Sequence, residues 1–245
     1  MRAESAVFSA AGARPYNEDR LGQRQTREAA FWAVADGLGG HEGGARAATL
    51  AVDSGLAAAT HLSRTHLEDL LKQAVSEAHV AVRAGQKGGA GFADMRSTLV
   101  LLGVKEGDAA WAHCGDSRLY HFRDGELVWR TRDHSAAQLL VTAGEITDAD
   151  ISSHPDRSRL VSCLGGQNPL LTASRRLGRP PAPGDRFLLC SDGLWENFTD
   201  GELVEAATAA ADPGVFLRDL AARVAAAAHP SQDNYSAVAV FIGPA

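Results

Sequence analysis

The sequence predicts an α+β protein in which antiparallel sheets pack together and helices cover the outside. Three observations support this class. Short β-rich runs dominate both halves of the chain, Asp124-Gly125 between two of them is a strong hairpin signal, and helical patterns occur in two separate pairs. A parallel nucleotide-binding sheet would instead alternate strand and helix along the whole chain. Packed sheets with helical layers outside are therefore favoured.

The predicted strands are short apolar runs, and several are apolar at every position. Strands that are covered on both faces have this composition. Consecutive strands joined by a two-residue turn favour antiparallel pairing. The runs occupy residues 5–12, 29–36, 96–104, 108–116, 117–123, 126–131, 170–178, 185–192 and 235–242.

The first helix pair is predicted at 44–60 and 65–84. The first of these segments is rich in alanine. The second opens with Thr65 and Glu68 in the spacing of a capping box and places leucine, valine and alanine on one face. This periodicity indicates helices that bury one side.

The second helix pair is predicted at 199–211 and 213–228. Thr199 and Glu202 repeat the capping box, and Pro213 is well placed at a helix start.

The interior segments 85–95 and 144–158 are predicted to be loops, the second with a short helical turn. The sequence contains no internal repeat and no low-complexity linker. We therefore expect a single domain over residues 1–245.

The composition limits the classes of function. The formal net charge is −6 without a Lys/Arg cluster, which argues against nucleic acid or a membrane as the partner. The three cysteines are far apart, and an odd count suits a reducing compartment. The N-terminus lacks a signal peptide pattern, and no apolar stretch approaches the roughly 18 residues of a membrane span. We expect a cytoplasmic protein.

Acidic residues recur where predicted strands begin or end. Asp36, Asp116 and Asp192 each follow an apolar run, Asp233 precedes one, and the acidic cluster 17–19 follows the first strand. A single Asp-Gly at a strand end is usually a turn. Five such places in one protein instead suggest a shared site.

Carboxylates gathered at one edge repel each other unless cations lie between them. Oxygen ligands without His or Cys select Mg²⁺ or Mn²⁺. Two such ions, about 3.5 to 4 Å apart, are a standard device for phosphate-ester hydrolysis. Arg14 lies close by in the sequence, and its guanidinium can hold two phosphate oxygens at once.

Taken together, these motifs resemble the metal-dependent PPM, or PP2C-type, serine/threonine protein phosphatases, most of all the compact bacterial members. The resemblance extends over essentially the whole chain, and it implies a four-layer α-β-β-α sandwich of two antiparallel sheets flanked by helix pairs. The matching segments are, in order, RPYNED, VADGLGGH, RSTL, CGDSRLY, DHS, LLCSDGLWE and QDNYSAVAV.

The resemblance also implies roles for the metal ligands. Asp36 matches the carboxylate that bridges two Mn²⁺ or Mg²⁺ ions, and Gly37 matches a main-chain carbonyl ligand of one ion. Asp192 and Asp233 match ligands of the other ion. Asp116 matches the ligand of a third ion, which it shares with Asp192.

Further roles carry over to the neighbouring residues. Arg14 matches the phosphate-binding arginine, so Arg14 and Asp36 are the expected catalytic residues. Glu18 and Asp19 match acids that hold metal-bound waters, and Asn234 is expected to support Asp233. Leu38 departs from the pattern, because some relatives have there a histidine that is proposed as the general acid.

Three further segments have less direct roles. Ser97 and Thr98 are expected to form backbone hydrogen bonds near the site, and residues 133–135 suit a helix cap. Residues 144–166 match the flap beside the site in bacterial relatives.

The expected function is hydrolysis of phosphoserine and phosphothreonine in proteins by a hydroxide that bridges two ions, in opposition to a Ser/Thr kinase. A monomer is expected. One alternative is a phosphatase for small phosphate esters or phosphotyrosine, because the metals and Arg14 recognise only the phosphoryl group. The other is a catalytically silent regulatory binding module, although Asp36, Asp192 and Asp233 are all retained.

Overall fold

The structure is a computed structural model that describes residues 2–40, 42–61, 66–227 and 229–244, apart from the side chain of Ala90. Two five-stranded sheets form its centre, and every pairing within them is antiparallel. Each predicted strand is present. The first sheet contains, in spatial order, β1 (Arg2–Ala10), β12 (Tyr235–Gly243), β11 (Arg186–Cys190), β8 (Arg118–Arg123) and β9 (Glu126–Arg130).

The second sheet packs against the first. It contains, in order, β10 (Ala173–Arg176), β7 (Asp108–Cys114), β6 (Leu99–Lys105), β3 (Ala29–Ala35) and β2 (Arg20–Gln25). The edge strand β2 was not predicted, because Arg-Leu-Gly-Gln-Arg-Gln shows no clear apolar alternation. Two very short strands, β4 (Gly37–Leu38) and β5 (Arg96–Ser97), pair with each other beside the end of β3.

Six α-helices are described, and four of them form the outer layers. They are α1 (Glu42–Thr60), α2 (Leu67–Gly85), α3 (Ala136–Ala143), α4 (Asp192–Trp195), α5 (Asp200–Ala209) and α6 (Pro213–Ala227). The pair α1 and α2 covers the second sheet, and α5 and α6 cover the first. No helix among the described residues is long and apolar enough to cross a membrane.

Strand β3 shows how the layers form. Phe31, Ala33 and Ala35 belong to the apolar cluster under α1 and α2, whereas Trp32 and Val34 belong to the cluster between the two sheets. Successive side chains of a strand point to opposite faces, so a strand buried on both sides must be apolar throughout. The predicted α+β, four-layer α-β-β-α sandwich is confirmed. The single domain predicted over residues 1–245 stays a prediction.

The helix ends agree in part with the predicted caps. The Thr199 hydroxyl accepts a hydrogen bond from the Glu202 amide at 3.2 Å, and the Glu202 carboxylate accepts one from the Thr199 amide at 2.8 Å, which confirms this capping box. Ser135 caps α3 by accepting from the Gln138 amide at 3.2 Å. Thr65, the first residue of the other predicted capping box, lies outside the described residues.

A buried ionic cluster fixes the turn that precedes β11. Asp185 is fully buried, and its carboxylate accepts hydrogen bonds from the Arg123 guanidinium, from His121 Nε2 at 2.8 Å and from the Ala182 amide at 2.8 Å. Both basic side chains belong to β8, so the cluster ties this turn to the strand that lies beside β11 in the first sheet.

Replacing Asp185 is expected to destabilise the fold strongly. Asp185→Asn leaves the buried Arg123 guanidinium without its counter-charge, and breaking such a pair costs about 3–5 kcal/mol. The matched control is Asp148→Asn, because Asp148 pairs with Arg130 at 2.9 Å but its side chain is 55% exposed. The control should cost less than about 1 kcal/mol. Urea unfolding followed by circular dichroism measures both, and equal losses would contradict the assignment.

Candidate active site

The predicted site residues meet at one end of the sandwich. Asp36 directly follows β3, Asp192 starts α4 two residues after the end of β11, and Asp233 lies just before β12. A cleft of about 360 Å³ at this end is lined by many of the predicted residues. They are Arg14, Glu18, Asp36, Gly37, Leu38, Asp192, Asp233 and Asn234.

Asp19 and Asp116 lie behind this lining. They still act on the cleft, because the negative charges of both residues help to raise the pKa of Asp36. The structure therefore gathers every carboxylate that the sequence pattern singled out.

The backbone around Asp36 is held by the strand that lies beside it. The Asp36 amide donates to Thr98 Oγ1 at 2.8 Å, and the Asp36 carbonyl accepts from the Thr98 amide at 2.9 Å and from Ser97 Oγ at 2.9 Å. Thr98 Oγ1 is also hydrogen-bonded to Ser117 Oγ at 2.6 Å. The expected role of Ser97 and Thr98 in backbone hydrogen bonding is confirmed.

Gly37 and Gly44 allow an unusually close approach of three segments. A Cβ atom at Gly37 would lie 2.1 Å from the Gly44 carbonyl oxygen and 2.8 Å from that of Glu18. A Cβ atom at Gly44 would lie 2.0 Å from Glu18 Oε2. Any side chain at either position would separate β4, the start of α1 and the Glu18 loop. The glycines after Asp36 therefore meet a packing demand of the site itself.

Asp192 and Asp233 are each oriented by the next residue in the chain. The Gly193 amide donates to Asp192 Oδ1 at 2.6 Å, and the Asn234 amide donates to Asp233 Oδ1 at 2.8 Å. A Cβ atom at Gly193 would lie 2.1 Å from the Asn234 carbonyl oxygen. The glycine thus lets the two acidic segments lie side by side.

Asn234 organises the loop that carries Arg14 and Glu18. Its Nδ2 donates to the carbonyl oxygens of Ala11 and Tyr16 at 2.9 and 2.8 Å, and its Oδ1 accepts from the Glu18 amide at 2.8 Å. The prediction gave Asn234 the narrower task of supporting Asp233. The Asn234 amide does contact Asp233, and the side chain in addition connects the 11–18 loop to the end of the sheet.

Arg14 lies at the rim of the cleft and contacts one of the predicted metal ligands. Its Nη2 donates to Asp233 Oδ2 at 2.8 Å, and the Arg14 side chain is 57% exposed. The preceding turn has Gly12 at φ +61°, where a Cβ atom would lie 2.3 Å from the Asp233 carbonyl oxygen. Arg14 is thus held beside the acidic cluster, as the sequence suggested.

The carboxylates share an environment that opposes ionisation. Burial is the main cause that raises the pKa values of Asp36 and Asp192, and neighbouring carboxylates raise them further. Burial and the charge of Asp133 raise the pKa of Asp116 to about 7. Burial raises the pKa of Asp19 to about 6, although hydrogen bonds from Ser236 and Ser191 lower it in part.

The donor set fits a divalent cation with oxygen ligands. Within the described part of the chain, Asp36, Asp116 and Asp192 form no ion pair with a basic side chain, and the buried Asp19 Oδ1 has no hydrogen-bond partner. No three His, Cys, Asp or Glu side chains of the described residues enclose an ion by themselves. Mg²⁺ commonly binds through one or two carboxylates and keeps several waters. It therefore does not need three protein side chains around one ion.

Two ionic contacts beside the cleft were not predicted. Arg118 pairs with Asp133 at 2.8 and 2.7 Å and stacks 3.4 Å from the ring centroid of Trp195, whose Nε1 donates to the Asp116 carbonyl oxygen at 3.0 Å. This stack connects α4 to the Asp116 turn. Arg118 and Trp195 lie in the motif segments GDSR and SDGLW, but the sequence does not show that the two side chains are in contact.

The second unpredicted contact joins the flap to the site. Arg157 Nε donates to Glu196 Oε1 at 2.8 Å, directly after α4, and Ser158 lines the cleft. A short 3₁₀ helix at Asp148–Ser153 is the helical turn that was predicted in this segment.

The structure thus combines a four-layer sandwich with an acidic cleft at one end and an arginine at the rim of that cleft. The chain belongs to the protein phosphatase 2C family, whose profile matches residues 10–238. It is 38% identical over 182 residues to the serine/threonine protein phosphatase PstP of Mycobacterium tuberculosis, which covers 71% of this chain. That alignment covers 33% of PstP, so the chain spans about a third of this relative's length.

Solved structures agree with this assignment. The crystal structure of the M. tuberculosis serine/threonine phosphatase PstP/Ppp superimposes with a TM-score of 0.85 at 30% identity and covers 99% of both chains. The catalytic domain of PstP in complex with two manganese ions superimposes with a TM-score of 0.81 at 27% identity, also over 99% of both chains.

The raised pKa values predict a pH dependence of stability. Asp19 and Asp116 hold protons in the folded state above the unfolded pKa of about 4. The free energy of unfolding of the metal-free protein should therefore fall as the pH rises from about 5 through the Asp116 pKa of about 7. Thermal unfolding in EDTA measures this, and saturating Mn²⁺ should remove the fall because the ion competes with protons.

Asp116→Asn should flatten this pH profile in part, because it removes one of the four carboxylates whose pKa is raised. Asp53→Asn, an equivalent change on the exposed side of α1, should leave the profile unchanged. A melting temperature that is constant from about pH 5 to about pH 8 in EDTA would rule out the proposed environment.

Proposed function

We propose that this chain hydrolyses phosphoserine and phosphothreonine in proteins with the help of Mn²⁺ or Mg²⁺. The observation that carries the proposal is a cleft lined by Asp36, Asp192 and Asp233 beside the rim arginine Arg14, in which burial and neighbouring carboxylates raise the pKa values of Asp36 and Asp192. Buried carboxylates that repel one another bind protons or cations. The named phosphatase relatives, one of them with two manganese ions, support cations and a phosphoprotein substrate.

The residues that would hold two ions follow from the donor chemistry and the family pattern. Asp36 would contact both ions, and the Gly37 carbonyl would contact one. Asp192 and Asp233 would hold the other ion. Glu18 and Asp19 would hold water ligands, and Asp116 would hold a third ion together with Asp192. Bound ions supply an activated water for in-line attack on phosphorus and neutralise the phosphoryl oxygens.

The remaining work belongs to the chain itself. Arg14 would bind two phosphoryl oxygens with guanidinium N–H groups that its Nη2 contact with Asp233 does not use. Thr98 and Ser97 keep the Asp36 backbone in place through three hydrogen bonds. Leu38 lines the cleft but has no proton to donate, so the leaving alkoxide would be protonated by water.

The biological setting is an extension of this proposal. An enzyme of this kind reverses the phosphorylation that a Ser/Thr kinase carries out. The kinase and its substrates are the expected partners. A cytoplasmic location and a monomeric state are part of the same proposal.

Two other functions use the same fold. A phosphatase for small phosphate esters or phosphotyrosine would share the cleft, and a panel of phosphothreonine, phosphoserine, phosphotyrosine and sugar phosphates separates these substrates. A catalytically silent regulatory module would bind phosphoprotein without turnover. The retained Asp36, Asp192 and Asp233 favour catalysis.

Asp36→Asn is expected to abolish turnover. The change removes one negative charge between the proposed ions, and loss of a central electrostatic contact typically costs about 100-fold or more in kcat. Release of phosphate from a phosphothreonine peptide with added Mn²⁺ is the measurement. Asp53→Asn provides the same chemical change on the exposed side of α1 and should retain full activity. Metal-independent turnover, or an active Asp36→Asn protein, would falsify the mechanism.

Arg14→Lys is expected to raise KM more than Arg218→Lys on the exposed side of α6. Lysine keeps the charge but loses the fork that binds two oxygens, which weakens phosphate binding by roughly tenfold. Steady-state kinetics with the same phosphopeptide measure KM and kcat separately. Equal KM values for the two variants would remove Arg14 from phosphate binding.

A further inference from the structure

A second depression, which we call the basal groove, lies at the end of the sandwich opposite the carboxylate cleft. It is lined by the first residues of β3, 29–32, whereas Asp36 follows the last residue of this strand. At about 3.3 Å per residue, the strand separates the two places by roughly 20 Å. The groove has a volume of about 1110 Å³, so it is larger than the cleft.

The charge of the basal groove is opposite to that of the chain. Its lining contains four basic and two acidic side chains, although the formal net charge of the protein is −6. Arg2 is close to Glu4 at 3.5 Å. Arg24, Arg27 and Lys105 form no ion pair with any residue that the structure describes. The charged residues of the lining are Arg2, Arg24, Arg27, Lys105, Glu28 and Glu106.

The groove opens where the two sheets separate at their edges. Its walls include β1 and β2, and each is the last strand of its sheet among the described residues. Ala3 and Ala30 from the partly exposed margin of the inter-sheet cluster contribute apolar surface between the walls. Ser5 Oγ on β1 donates a hydrogen bond to Gln23 Oε1 on β2 at 3.3 Å, which links the two walls.

We propose that the basal groove is a docking surface for an extended, acidic segment of a protein partner. Unpaired guanidinium groups on the rim can form forked hydrogen bonds with carboxylates. Edge strands offer free main-chain donors and acceptors to an extended peptide. The apolar margin suits a segment in which acidic and apolar side chains alternate, because the two kinds of side chain then point to opposite sides.

Charge complementarity selects a peptide over a nucleic acid. A phosphate backbone would bring a negative charge to Glu28 and Glu106 on the same rim, within a protein that is acidic overall. Acidic side chains on a peptide can instead be spaced to meet Arg24, Arg27 and Lys105 alone. Docking here leaves the cleft open, so a tethered phosphosite would be held at a raised effective concentration.

The binding test uses a fluorescein-labelled octapeptide of alternating valine and glutamate, followed by fluorescence anisotropy. The peptide should bind at low salt, and its glutamine counterpart should not. Arg24→Glu with Arg27→Glu should weaken binding roughly tenfold or more, because two attractions become repulsions. Lys72→Glu with Arg218→Glu makes the same change in net charge on exposed positions of α2 and α6 and should change affinity less than about twofold.

The second readout is hydrolysis of p-nitrophenyl phosphate with Mn²⁺, which should be unchanged in the Arg24 and Arg27 double variant. A milder pair, Arg24→Gln with Lys105→Gln, measures the same contact should the charge reversal disturb folding. The proposal would be overturned if both charge-reversal pairs weakened peptide binding equally or if the glutamine peptide bound as tightly as the glutamate peptide. Tighter binding of an oligothymidylate of equal charge would also overturn it. Absence of peptide binding at low salt would overturn it as well.

Discussion

The burial of mutually repelling carboxylates at one end of the sandwich is the constraint that the rest of this structure must meet. Asp19, Asp36, Asp116, Asp192 and Asp233 are brought to one end of the sandwich, where burial and mutual charge raise the pKa of four of them. Such a group is stable only if protons or cations neutralise it, or if the surrounding fold holds it together. The half-buried Asp233 is partly neutralised by Arg14.

The scaffold meets this demand mainly through the backbone. Main-chain amides of Gly193 and Asn234 bind the carboxylates next to them, and Thr98 fixes the main chain of Asp36. The layered core on both sides of each sheet keeps these strand ends from moving apart. Because strand order brings distant segments together, the acids come from segments as far apart in the chain as Asp19 and Asp233. The stack of Arg118 on Trp195 adds a side-chain link between α4 and Asp116.

Much of the fold could be predicted because its signals are local. Apolar runs identified every buried strand, and the capping residues Thr199 and Glu202 located the start of α5. Edge strand β2 was missed, because most of its residues are exposed and polar and because its pairing with β3 joins it to the sheet only in the folded chain. In the site, the residue types and their order predicted the acidic cluster. The Arg14 contact with Asp233, the loop-holding role of Asn234 and the pair of Arg157 with Glu196 could not be predicted, because each joins segments far apart in sequence.

The stretch of sequence from Phe31 to Gly44 by itself determined that a buried strand ends in an acid and is followed by glycines. Only the tertiary structure decided why glycine is needed there: the Glu18 loop and the start of α1 approach within the space of a methyl group. The same division holds at the other end of the sandwich. The sequence determined an acidic protein without a basic cluster, whereas folding gathered Arg2, Arg24, Arg27 and Lys105 around one groove. Net charge is a sum over residues, but local potential depends on which of them become neighbours.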